Sequence, residues 1–95
     1  MGTWKNKKIE LGVVPEDTTI EIKFTSLEYL DIDSVIPACS SCTKFIDYKD
    51  NILTLHFKAS KPKHLIGKTT AINKHVIVYY TDGTSDKLTF TGTLK

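Results

Sequence analysis

The feature that most constrains this chain is a hydrophobic period of two. In Thr18 to Thr25, Ile20, Ile22 and Phe24 alternate with Glu21 and Lys23. Leu53, Leu55 and Phe57 alternate with Thr54, His56 and Lys58. Val76, Val78 and Tyr80 alternate with His75, Ile77 and Tyr79, and Leu88 and Phe90 with Lys87, Thr89 and Thr91. Leu30 and Ile32 open a further segment that continues to Val35, with Asp31 and Asp33 on the other face. Successive side chains of a strand point to opposite faces of a sheet, so this period predicts half-buried strands. Lys5 to Leu11 and Lys44 to Tyr48 are weaker candidates. No segment sustains the 3.6-residue apolar period of a helix of three turns. Composition agrees: 13 Thr, 10 Ile and 5 Val stand against three Ala, and branching at Cβ suits a pleated strand better than a helix.

Turn chemistry separates these segments. Pro15-Glu16-Asp17 divides the first two, and Asp47 to Asn51 is a polar turn. Asp82-Gly83 is a hairpin signal, because glycine accepts positive φ without steric cost. Ala59 to Thr70, with Pro62 and Gly67, is the longest irregular connection. About seven short antiparallel strands in 95 residues imply one domain, residues 1–95, built as an immunoglobulin-like sandwich of two sheets. The expected core is Ile20, Ile22, Phe24, Leu30, Ile32, Leu53, Leu55, Phe57, Val76, Val78, Leu88 and Phe90, with His56 and His75 on exposed faces.

Groups able to do chemistry are sparse. Cys39-Ser40-Ser41-Cys42 is a C-x-x-C, but it lies between strand-like segments rather than at a helix N-terminus, where a thiol would be activated. A structural zinc site needs four ligands, and His56, His64 and His75 stand at spacings that match no zinc finger. The reading adopted is two structural thiols, reduced in a cytoplasm, at a tight turn. Cys39 and Cys42 remain the candidate metal ligands of an alternative. Gly67-Lys68-Thr69 lacks the earlier glycine of a phosphate-binding loop, since Pro62 stands there. Asp31 and Asp33 read as a solvated face. No nucleophile, base and orienting group fall at a recognisable spacing, so no enzymatic activity and no cofactor are expected.

Charge is segregated along the chain. The 13 basic residues are all Lys, against 11 acidic ones. Residues 51–81 hold Lys58, Lys61, Lys63, Lys68 and Lys74, all three His and no acid. Residues 9–50 hold nine acids against Lys23, Lys44 and Lys49, a net of −6. Unlike patches steer contact, which suits docking on a protein surface or on copies of the same chain. Without Arg the chain lacks the commonest base-edge reader, and nucleic acid is not expected as a partner. No apolar run approaches the roughly 20 residues of a membrane span, so no membrane partner is expected. The N-terminus shows no secretory h-region, which implies a cytoplasmic protein or one assembled from a cytoplasm into a particle. Trp4 to Leu11 is the expected edge strand. It is poorly patterned for burial on either face, so Trp4, Lys5, Lys7 and Lys8 are interface candidates. Lys58, Lys61, Lys63 and Lys68 supply a steering surface. On this reading Trp4 contacts a neighbouring subunit, and removing residues 1–8 leaves a folded sandwich.

Leu30-x-Ile32-x-x-Val35 followed by Cys39 and then Cys42-Thr43 resembles a bacterial and phage immunoglobulin-like family of unknown function. That family is related to the Hydin and major-sperm-protein sandwiches, and its signature is an L-x-I-x-x-V strand running into Cys-Gly-Cys-Thr. Ile9 to Val14, Ile20 to Phe24, Asn51 to Phe57, Lys74 to Tyr79 and Leu88-x-Phe90-x-Gly92-x-Leu94 are similar to its other strands. Two departures stand out: the cysteine spacing is widened, and Thr25-Ser26-Leu27-Glu28 replaces a polar Asn-Gly turn. Most bacterial members follow a secretion signal, so the resemblance points towards the phage members. It implies a non-enzymatic virion component, such as a capsid decoration or head/tail accessory protein, located in the virion and bound to other virion proteins or to its own copies. The alternative is a small cytoplasmic metal- or thiol-binding protein using Cys39 and Cys42.

Overall fold

A computed structural model describes residues 3–40, 42–59 and 70–94. Seven strands follow in order: β1 (Lys8–Val14), β2 (Thr18–Thr25), β3 (Ile32–Pro37), β4 (Thr43–Lys49), β5 (Ile52–Ala59), β6 (Thr70–Tyr80) and β7 (Ser85–Leu94). They form a four-stranded sheet, β1-β7-β6-β3, packed on a three-stranded sheet, β2-β5-β4. The protein is an all-β, immunoglobulin-like sandwich with no helix among the described residues. One pairing departs from the expected antiparallel set: β1 runs parallel to β7.

The alternation places the core. Ile22, Phe24, Leu53, Leu55 and Phe57 from one sheet meet Val76, Val78, Leu88 and Phe90 from the other, all buried, and the Phe57 and Phe90 rings pack edge to face at 5.2 Å. Ile20 and Ile32, expected inside, only pack against the core from its margin, and His56 and His75 are half-buried rather than exposed. Leu30, also expected inside, and Trp4, Val14, Ala59, Ile72, Tyr80 and Leu94 complete the core.

The turns follow their residues. Gly83 (φ +89°) donates its N–H to Tyr80 O at 3.1 Å and closes the β6–β7 hairpin across Asp82-Gly83. Lys49 pairs with Ile52, and the intervening Asp50 and Asn51 both take positive φ, 53° and 64°. That is the two-residue hairpin loop whose twist matches the strands.

Two of the crossings between the sheets bear on the site. Residues 3–7 start on the three-stranded sheet: Lys5 N–H donates to Thr25 O at 2.8 Å and Leu27 N–H to Thr3 O at 2.9 Å. By Lys7 the backbone has crossed, and Lys7 O accepts Thr89 N–H at 2.8 Å. The second crossing is the cysteine turn. Ala38 N–H still donates to His75 of the larger sheet at 3.0 Å, and Cys42 O already accepts from Lys58 N–H of the smaller one at 2.8 Å.

Candidate docking groove between two edge strands

β3 and β4 are the edges of their sheets on the same side of the sandwich. Between them lies a groove of about 370 Å³, walled by Leu30, Ile32 and Val35 on one side and Phe45, Ile46 and Tyr48 on the other. Asp33 and Asp47 are the charged residues of its lining, which holds no cation. Two large apolar side chains of the lining stand exposed, Tyr29 at 70% and Ile46 at 40%. Tyr29 leans on Tyr48, ring centroids 5.7 Å apart. Tyr48 is fixed in turn, since its hydroxyl accepts Leu30 N–H at 3.1 Å and bonds Ser26 Oγ at 2.7 Å. The groove wall is therefore held before anything binds.

Both edges carry irregularities. An extra residue falls between Ile32 and Ser34 in β3 and between Phe45 and Asp47 in β4. Bulges, an edge proline such as Pro37 and edge carboxylates blunt indiscriminate strand pairing. Any strand pairing here has to match that pattern.

The N-terminal candidates are placed differently from the sequence expectation. Trp4 is 7% exposed. Its indole Nε1–H donates to Tyr80 Oη at 2.7 Å, and Tyr80 Oη donates to Asp86 Oδ2 at 2.7 Å. Lys7 Nζ reaches Asp86 Oδ1 at 2.9 Å, joining a half-exposed ammonium to a buried carboxylate. Burial, then the neighbouring carboxylate, push the Tyr80 phenol well above its ordinary value, opposed by the bond from Trp4. Trp4 and Lys7 thus tie the N-terminus to the protein's own core, because the indole N–H finds a buried acceptor there. The exposed contact expected of Trp4 is corrected. Lys5 and Lys8 are exposed.

Cys39 and Cys42 are joined by a disulfide, with Cα atoms 5.6 Å apart. The expectation of reduced thiols is corrected: the crossover turn brings the two residues within bonding reach. Joined, they offer no thiolate to a metal. Among the described residues no three His, Cys, Asp or Glu side chains cluster as a metal site. Beside the turn a concavity of about 470 Å³ is lined by Thr19, Ser40, Thr43, Lys44, His56 and Lys58, with Cys42 at its wall. Glu21 lies next to it, 3.6 Å from His56 Nε2, and Lys23 beside it holds its carboxyl below the usual range. Lys58 is exposed beside Lys44 and His56 in this concavity, while Lys61, Lys63 and Lys68 lie outside the described residues.

Sequence patterning missed Tyr29 and Ile46. The available signals were two adjacent apolar residues in Phe45-Ile46, which no regular strand alternation explains, and the replacement of a polar turn by Thr25-Ser26-Leu27-Glu28. No family model, curated protein or solved structure matches this chain.

Proposed function

We propose that this domain is a non-enzymatic docking module, and specifically a structural component of a phage-type virion, a capsid decoration or head/tail accessory protein. The observation that carries the reading is the preformed apolar groove between two open sheet edges, with Tyr29 and Ile46 exposed in its lining. Exposed apolar residues gathered at one place mark interaction sites rather than ordinary surface. Strand edges beside them add unpaired backbone groups as recognition elements. The virion assignment rests on the sequence resemblance. It is supported by the Cys39–Cys42 disulfide, since disulfides persist on particle surfaces and are rare in a reducing cytosol.

The test is recovery of the tagged protein from its native source, with wild type and a Tyr29→Asp/Ile46→Asp variant compared by mass spectrometry. Virion structural chains that accompany the wild type and are lost from the variant are expected. Partners unaffected by the variant would overturn the groove reading. Stoichiometric zinc or copper that disappears in Cys42→Ser would establish the cytoplasmic metal- or thiol-binding alternative instead.

A further inference from the structure

Along β4 the open edge offers charges of both signs in a two-fold-compatible order. Lys58 N–H bonds Cys42 O, and the register then pairs Lys44 with His56, Asp47 with Thr54 and Lys49 with Ile52. In an antiparallel ladder, residues bonded towards one neighbour alternate with residues facing the other way. Cys42, Lys44, Asp47 and Lys49 therefore bond towards β5, and the three charged side chains lie on the outer face. Thr43, Phe45 and Tyr48 turn their side chains inward and their backbone groups to the edge, where the Thr43 N–H already donates to Cys39 O at 2.9 Å. The bulge at Ile46 keeps this arrangement in phase on both sides of it.

We propose that the occupant of the β4 edge is the β4 edge of a second copy, antiparallel about a two-fold axis at the Phe45-Ile46 bulge. This rests on the docking reading above and names the partner. Thr43 of each copy then lies opposite Tyr48 of the other and contributes its C=O, since its N–H already donates to Cys39 O at 2.9 Å. Lys44 of each copy faces Asp47 of the other, both on the outer face. Because the interface is isologous, the pair occurs twice. Among the described residues neither Lys44 nor Asp47 has an ion-pair partner within its own chain. The exposed Ile46 side chains of the two copies meet at the axis and cover each other. The two three-stranded sheets become one six-stranded sheet, β2-β5-β4-β4-β5-β2.

The opposite edge does not offer this. A two-fold pairing of β3 brings Asp31 and Asp33 of both copies to one surface, and Pro37 has no N–H to donate. Like charges across an interface suppress association, and opposite charges fix register. Of the edges beside the groove, β4 alone is complementary to itself.

The experiment is sedimentation velocity over a concentration series, at low and high salt, on wild type, Lys44→Asp, Asp47→Lys and the double variant, with far-UV spectra and melts confirming that each is folded. Wild type should dimerise, more weakly at high salt. Each single variant places like charges opposite one another twice and should weaken dimerisation by about tenfold or more. The double variant restores both pairs with their signs exchanged and should recover the dimer. A mixture of the two single variants should form a heterodimer that neither forms with itself. A wild type that stays monomeric throughout, or a double variant as weak as the singles, would overturn the proposal. If that monomer still captures virion chains through Tyr29 and Ile46, the docking function stands and only the second-copy assignment falls. If it captures nothing, both fall.

Discussion

A carboxylate that is almost out of contact with water needs its charge answered, and Asp86 has Lys7 on one oxygen and the Tyr80 hydroxyl on the other. Tyr80 in turn accepts from Trp4, so one carboxylate organises the ends of three segments. Tyr80 is an acid whose folded value is raised above its ordinary 10.0, so the folded chain keeps a proton that the unfolded chain loses in that window. Its contribution to stability is complete below pH 10.0 and falls as pH rises towards the folded value. Urea melts between about pH 9 and pH 11 should show wild type losing stability more steeply than Tyr80→Phe, which lacks the titrating group. Parallel slopes would show that the phenol titrates normally. In the core, Phe57 packs on Phe90, and Phe57→Ala should cost about 3–5 kcal/mol in transfer energy and cavity. His56→Ala, on the outer face one position away, should cost well under half of that, and equal costs would mean an inverted register. The register was legible because Leu53, Leu55 and Phe57 alternate without a break. Trp4 was not, because its acceptor lies 76 positions away and nothing in its own segment repeats.

At the scale of elements, hairpins were legible and crossings were not. Asp82-Gly83 carries its own backbone requirement, and the turn formed where that requirement falls. The parallel pairing of β1 with β7 has no such local signal. It depends on a close approach at Gly92, where an added Cβ would lie 2.8 Å from Gly12 O and 3.1 Å from Leu11 Cβ. The first of these is backbone and cannot move without shifting β1. Ala is otherwise the better strand residue, yet Gly92→Ala should destabilise by about 1–3 kcal/mol through overpacking. An unchanged or raised urea midpoint would show that β1 yields easily. The cysteine turn was placed correctly between β3 and β4, but its oxidation state depends on geometry that spacing alone does not give. A bridge closing so short a loop restricts the unfolded chain little. Replacing both cysteines by Ser should therefore cost about 2 kcal/mol or less, measured by urea melts.

The whole molecule is 45 Å long and only 20 by 17 Å across, so its stability depends heavily on how well the two sheets are tied at their ends. Residues 3–7 form one such tie. They hydrogen-bond to Thr25 and Leu27 of the smaller sheet's end and to Thr89 of the larger sheet, and they seal the core with the Trp4 indole, 6.3 Å from the Tyr48 ring. The sequence suggested a detachable attachment arm; the fold makes the same residues part of the sandwich. Loss of a buried Trp costs about 3–5 kcal/mol, and a domain of this size is stable by about 5–15 kcal/mol. Deleting residues 1–8 also leaves Tyr80 and Asp86 without Trp4 and Lys7, and a buried carboxylate without its cation adds to the penalty. The truncated protein should therefore unfold at a much lower urea concentration, or be unfolded in buffer. Trp4→Phe, which keeps most of the apolar contact and removes only the N–H donor, should fall between the truncation and wild type. A truncated chain that melts like the full one would show that the N-terminal segment is an appendage and that the sandwich closes without it.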